Sequence, residues 1–240
     1  DLVIVDEAHE GTQTELTQNI LNLVVKKHTK ELDLSGTPFN IISDYDEDHV
    51  FTWDYTMEQE AKSNWAKMHP GVENPYSGLP KVSMFTFEMN AHFKDPRFTG
   101  DGFDKYTFNF KEFFRTDKNG KFVYESDVKH FLDNITNPGS TNYPFSTREF
   151  RNRLRHTLWI LPGIKEANAL EDLLKQHPVF GSEYKILNVV RNDKSDTVLG
   201  TDNDAKAENK AIAEADKEGK KTITLTVRKL TTGATIPEWT

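Results

Sequence analysis

The first apolar run, Leu2 to Val5, is continuous rather than alternating, and it stops at the adjacent carboxylates Asp6 and Glu7. A short unbroken run of this kind predicts a fully buried strand of a parallel sheet. From Thr14 to His28 the period changes. Leu16, Ile20, Leu23 and Val24 recur at helical spacing, with Lys26, Lys27 and His28 near the end, where cations are favoured. LDLSGTPF (32–39) predicts a second short strand running into a Gly-Thr-Pro turn. Strand, helix and strand in this order indicate an α/β sheet with crossover helices.

The middle of the chain is less regular. VFTWDYT (50–56) alternates like a strand, MEQEAKSNWAKMH (57–69) predicts a helix, and KVSMFTFEM (81–89) is another strand candidate. ENPYSGLP (73–80) reads as a loop and TDKNGK (116–121) as a turn. Ser126 or Asp127 would cap a helix over Val128, Phe131 and Leu132. TNPGSTNYP (136–144) reads as a linker. Regular α/β patterning then resumes. A basic helix is expected over 147–156, strands at 157–163, 184–190 and 222–227, an amphipathic helix over 164–177, and a polar helix over 202–219 ending in Gly.

The sequence has 240 residues, enough for one large domain or two small ones, with 36% hydrophobic, 28% charged and 11% aromatic residues. That aromatic share is too high for a disordered chain. The net charge of -8 gives no global basic signature for nucleic acid, although a local basic groove is compatible with it. The sequence has no cysteine, which excludes disulfides and thiolate-bound metal and is compatible with a reducing cytoplasm. No apolar run approaches the roughly 20 residues of a membrane span, so a cytoplasmic protein without a membrane partner is expected. Asp1 already stands at a strand edge, and the chain reads as a fragment of something longer.

Adjacent carboxylates at the end of a parallel strand have a specific chemical use. Ligands of open α/β sheets bind beyond the carboxyl ends of the strands. There an Asp can hold Mg²⁺ and a neighbouring Glu can orient or deprotonate a water that attacks a phosphate. A solvated loop is the bland alternative for an isolated pair. Here the letters are Asp6-Glu7-Ala8-His9, Ser35-Gly36-Thr37-Pro38 follows at a second strand end, and Thr231-Thr232-Gly233-Ala234-Thr235 follows a third.

In these stretches the chain resembles the superfamily 2 DEAD/DEAH-box helicases and translocases. Asp6 to His9 matches motif II, Ser35 to Pro38 looks like motif III, TLWILPGIKEANAL (157–170) looks like motif IV, and VRKLTTGATIPEW (227–239) looks like motif V. The wording is closest to the motor (Res) subunits of type III and type I restriction enzymes and their phage or mobile-element relatives. The resemblance implies an α/β fold of the P-loop NTPase (RecA-like) kind. Residues 1–43 would close a partial first lobe, 44–145 would hold its remainder and a connecting or inserted region, and 146–240 would form most of the second lobe. It implies ATP and Mg²⁺ as cofactors, duplex DNA as the track, and methyltransferase or specificity subunits as partners. Asp6 would hold Mg²⁺, Glu7 would act as catalytic base, and His9 would couple the site to the second lobe. Ser35 and Thr37 would link hydrolysis to movement. Thr231, Thr232 and Gly233 would contact nucleic acid backbone or relay the nucleotide state.

The departures are equally informative. The sequence contains no G-x-x-x-x-G-K-[ST], and it ends before an arginine-bearing motif VI. The resemblance therefore implies half an ATP site, inactive by itself, within an ATP-hydrolysing parent. A repair or phage helicase and a catalytically inactive helicase-like scaffold are the competing readings. Arg148, Arg151, Arg153 and Arg155 could contact phosphates, but a solvated or acid-paired helix is the expectation. The Phe-rich stretch from Phe103 to Phe131 is expected to pack rather than to stack on bases. The histidines show no zinc-binding spacing, and Ser35 has no partner pattern of a hydrolase triad.

Overall fold

The computed structural model describes residues 1–8, 15–82, 84, 95–99, 108–139, 144–231 and 233–239. It is a mixed α/β protein in two compact units, Asp1–Met84 and Phe85–Thr240, with two small parallel sheets among the described residues.

In the first unit β1 (Leu2–Val5) and β2 (Lys30–Asp33) pair in parallel, with Leu2 opposite Lys30 and Val5 opposite Asp33. The helix α1 (Glu15–Val24) lies between them in sequence, as parallel pairing requires of a crossover. Burial of β1 differs from expectation. Val3 and Val5 are half-buried, whereas Leu2 and Ile4 are 58% and 57% exposed. A two-stranded sheet covers one face of an apolar strand more readily than two. The alternation predicted over 50–56 is not a strand. Asp54 instead caps α2 (Tyr55–Met68), its Oδ1 accepting the N–H of Met57 at 2.9 Å. The N-cap preference of Asp outweighs the alternating pattern there. Of the strand candidate at 81–89, residues 83 and 85–89 lie outside the described residues.

In the second unit β3 (His156–Ile160), β4 (Tyr184–Asn188) and β5 (Lys221–Thr226) form a parallel sheet of order β3-β5-β4. His156 faces Thr222 and Tyr184 faces Lys221 in the register. Around the sheet stand α3 (Phe110–Phe113), α4 (Glu125–Thr136), α5 (Arg148–Arg153), α6 (Ile164–Gln176), α7 (Phe180–Glu183) and α8 (Asp202–Lys217). The central strand β5 is buried throughout and alternates Thr with Ile and Leu. Ile223 and Leu225 join the core with Leu170 and Leu174 of α6, while Thr224 meets Glu208 of α8. Period-two alternation thus gives each helix its own face of the sheet.

The same core takes in Phe98, Phe113, Phe114 and Phe122, so these rings pack as expected, although Phe110 is 54% exposed. Tyr124, not Ser126 or Asp127, occupies the N-cap position of α4, and Asp127 pairs instead with Arg97 at 3.1 Å. The TDKNGK turn forms, with Gly120 at φ +74 and Asp117 Oδ1 accepting the N–H groups of Asn119 and Lys121. Phe103 and residues 140–143 of the expected linker lie outside the described residues. Among the described residues no helix is long and apolar enough to cross a membrane.

Candidate functional site

Parallel pairing of β1 and β2 places their carboxyl ends at one edge. From β1 the chain runs directly into Asp6 and Glu7, and from β2 it runs through Leu34 into Ser35. Two backbone hydrogen bonds extend the ladder into these loops. The N–H of Leu34 donates to Val5 at 2.8 Å, and the N–H of Ala8 donates to the carbonyl of Leu34 at 3.0 Å. Ala8 is buried at 1% exposure, so the small side chain of the Asp-Glu-Ala stretch is a packing requirement. The carboxylates on either side of the bend are in water: Asp6 and Glu7 are both exposed.

Glu7 has φ +51, in the left-handed region that a residue with a β-carbon seldom adopts. Asp6 stabilises the bend, its Oδ1 accepting the N–H of Glu7 at 2.9 Å. Backbone strain of this kind concentrates at functional sites and persists only where neighbours enforce it. On the adjoining loop Ser35 Oγ accepts the N–H of Thr37 at 3.1 Å. Thr37 then leads into a single turn of 3-10 helix, Pro38–Asn40. Tyr45 folds back on the end of β2 and donates its hydroxyl to Asp33. Burial first, and then this bond to a carboxylate, push the Tyr45 hydroxyl up to about 12.

Thus the structure brings Asp6, Glu7, Ser35 and Thr37 to one sheet edge of the first unit. Thr231 and Gly233 belong to the second unit and follow the carboxyl end of its central strand. There Thr226 donates its hydroxyl to the carbonyl of Lys229 at 2.7 Å, and Thr231 donates to the carbonyl of Arg228 at 2.7 Å. Leu230 has φ +62 and Gly233 φ +67, so two described residues of the turn are left-handed, one of them not a glycine. Arg228, Thr231 and Gly233 are exposed. His9 and Thr232 lie outside the described residues.

A cavity of about 290 Å³ opens at the carboxyl end of β3. It is lined by Lys111, Glu112 and Arg115 on one side and by Gly163, Glu166 and Asp196 on the other. Asp196 Oδ1 accepts the N–H of Ile164 at 2.9 Å, so a carboxylate supplied by a later loop satisfies the first turn of α6. Glu166 accepts the hydroxyl of Thr116 at 2.6 Å. The members of this cluster come from three separate stretches, so locally only Pro162-Gly163, between strand and helix, marks it.

The arginines of the 147–156 segment are mostly acid-paired, as expected. Arg151 meets Glu183 at 3.0 Å, Arg153 meets Glu149 at 2.8 Å, and Arg155 meets Asp216. Such pairing leaves little free charge for phosphate on this helix.

Among the described residues no group of three or more His, Cys, Asp or Glu could hold a metal ion. Asp6 does not need such a group to suit Mg²⁺. That ion commonly takes one or two carboxylates and completes its shell with water and substrate phosphates. The exposed hard oxygens of Asp6 and Glu7 fit this pattern. The sequence contains no G-x-x-x-x-G-K-[ST] to accompany them.

No family model and no solved structure matches the chain. It is similar to a Mycoplasma pneumoniae protein whose name describes the C-terminus of a candidate type II restriction enzyme and methyltransferase. The two are 29% identical over 297 aligned positions, which take in 100% of this chain and 40% of that protein. The chain therefore spans less than half the length of the relative that it matches.

Proposed function

We propose that the chain serves a restriction–modification system, as the motor part that hydrolyses ATP with Mg²⁺ and moves on duplex DNA. The observation that carries this reading is the joined edge of β1 and β2. It sets Asp6-Glu7 beside Ser35-Gly36-Thr37, with Ala8 bonded across to Leu34. The similarity to a restriction enzyme and methyltransferase supports the restriction setting over a repair or phage one.

In this reading the architecture is of the P-loop NTPase kind, and the chemistry is phosphoryl transfer to water. Mg²⁺ supplies charge neutralisation on the phosphates when bound. Asp6 offers it an oxygen that the short β1 loop fixes in place. Glu7 orients the attacking water and accepts its proton, since its carboxylate is exposed and its backbone direction is set by the left-handed bend. Ser35 and Thr37 sense the nucleotide state through the shared edge. Thr231 and Gly233 present hydroxyl and backbone groups to the DNA backbone, and His9 and Thr232 take the coupling roles implied by the resemblance. The reading requires a phosphate-binding loop and a motif VI arginine from outside these 240 residues. Methyltransferase or specificity subunits are the expected partners.

The test is ATP hydrolysis by the complete gene product, with and without duplex DNA. Stimulation by DNA, abolished by Glu7→Gln, is expected. Equal activity of wild type and Glu7→Gln would sink the proposal.

A further inference from the structure

The turn after β5 is held in a shape that its own side chains do not favour. Leu230 is left-handed at φ +62 although it carries a β-carbon, and it is buried. Gly200 lies against it. A β-carbon at Gly200 would stand 2.8 Å from the backbone nitrogen of Leu230 and 3.3 Å from its Cδ2.

Lys229, just before Leu230, points inward. Its side chain is 12% exposed, and its ammonium meets Asp193 at 2.9 Å and Asp204 at 3.5 Å. It also donates to the carbonyl of Val189 at 3.4 Å. Asp193 and Val189 belong to the segment after β4, and Asp204 to the first turn of α8. A single side chain therefore ties the turn after β5 to two other parts of the sheet's carboxyl edge. Asp204 is itself fixed, since its Oδ2 accepts the N–H of Thr201 at 2.8 Å within a capping box. A nearly buried ammonium is a weak stabiliser compared with apolar packing, so its best-attested use is to select one arrangement among several.

We propose that Lys229 is the positioning residue of the turn at 228–231. It holds Leu230 in the left-handed conformation, and so fixes how Thr231 and Gly233 are presented and couples them to the segment 189–204. This rests on the reading that Thr231 and Gly233 meet DNA.

The test compares the 240-residue chain with Lys229→Met and with the double variant Lys229→Met/Asp193→Leu. The single variant leaves a nearly buried carboxylate uncompensated and is expected to lose thermal stability. The double variant replaces the pair by apolar groups and is expected to recover it. Amide hydrogen exchange over 228–236 is expected to accelerate about ten-fold or more in both variants, as local protection is lost while global stability returns. Binding of a duplex oligonucleotide is expected to weaken to a similar extent in both. Wild-type exchange rates in the double variant would overturn the inference, leaving Lys229 as a mere counter-charge. Failure of the unsubstituted chain to bind the duplex would count against the DNA reading alone, and the exchange rates would still decide the role of Lys229.

Discussion

The N–H of Ala8 donates to the carbonyl of Leu34 at 3.0 Å, joining the loop that bears Asp6 and Glu7 to the loop that bears Ser35 and Thr37. Ala8 is buried, so its methyl group fills the space at this junction. Ala8→Leu is therefore expected to overpack it and to cost about 1–3 kcal/mol in the first unit. Urea denaturation followed by the fluorescence of Trp53 and Trp65 would measure this. A change below a few tenths of a kcal/mol would show that the junction is loose.

The second unit carries a buried acid. Glu208 is 3% exposed, and the hydroxyl of Thr224 donates to its Oε1. Burial raises its carboxyl above the usual 4.5, against a smaller lowering by the Thr224 bond. A raised folded value means that the contribution to stability is present below 4.5 and is lost as pH rises through the folded value. Glu208→Gln keeps an acceptor for Thr224 and removes the charge, so it is expected to raise the neutral-pH melting temperature and to flatten that slope. Thr224→Val is expected to destabilise by about 1–3 kcal/mol, the cost of an unpaired buried polar group. Melting curves between pH 4 and 8 separate the two outcomes.

Two histidines act in the opposite direction. His177 Nδ1 accepts the N–H groups of Val179 and Phe180 at 3.2 and 3.4 Å, which places the proton on Nε2, facing Asp133 at 3.3 Å. His156 lies between Thr222 Oγ1 at 3.0 Å and Asp216 at 3.3 Å. In both, burial lowers the imidazole below its usual 6.5, although the neighbouring carboxylates partly offset it. Their stabilising contribution is thus present above 6.5 and is lost as pH falls from there through the folded value. His177→Asn supplies an acceptor for the two amides without titrating. It is expected to reduce the loss of stability below pH 6.5 by its own share, read from the same melting series. An unchanged slope would remove His177 from the account.

The sheet of the second unit was legible in the sequence because its strands and helices carry clear periods. Residues 184–190 and 222–227 were expected as strands and form β4 and β5, offset by a residue or two at their ends. Capping was less legible: Asp54 ended an apparent strand at 50–56, and Tyr124 displaced Ser126 and Asp127. Burial of β1 on one face only was not legible, because a continuous apolar run does not reveal how many faces its sheet can cover. The approach of Asp6-Glu7 to Ser35-Thr37 followed from strand order and parallel pairing. The anchoring of Lys229 could not be foreseen, since Asp193 and Asp204 come from other loops and nothing local marks them as its partners.

The last prediction separates stability from chemistry at Glu7. Its φ of +51 costs about 1–2 kcal/mol for a residue with a β-carbon. Glycine relieves that cost but increases the freedom of the unfolded chain, by roughly 0.5–1 kcal/mol. Glu7→Gly is thus expected to leave the first unit as stable as before or more stable by up to ~1.5 kcal/mol. Glu7→Gln retains the strain and is expected to be neutral in stability. In the complete gene product both are expected to lose DNA-stimulated ATP hydrolysis, because neither can accept a proton from water. A non-glycine residue held at this φ motivates the proposal that its carboxylate takes part in the reaction. Urea denaturation and hydrolysis assays on the two variants test this jointly. If Glu7→Gly retained full hydrolysis, the bend would be a structural feature only, and the carboxylate would have no part in the reaction.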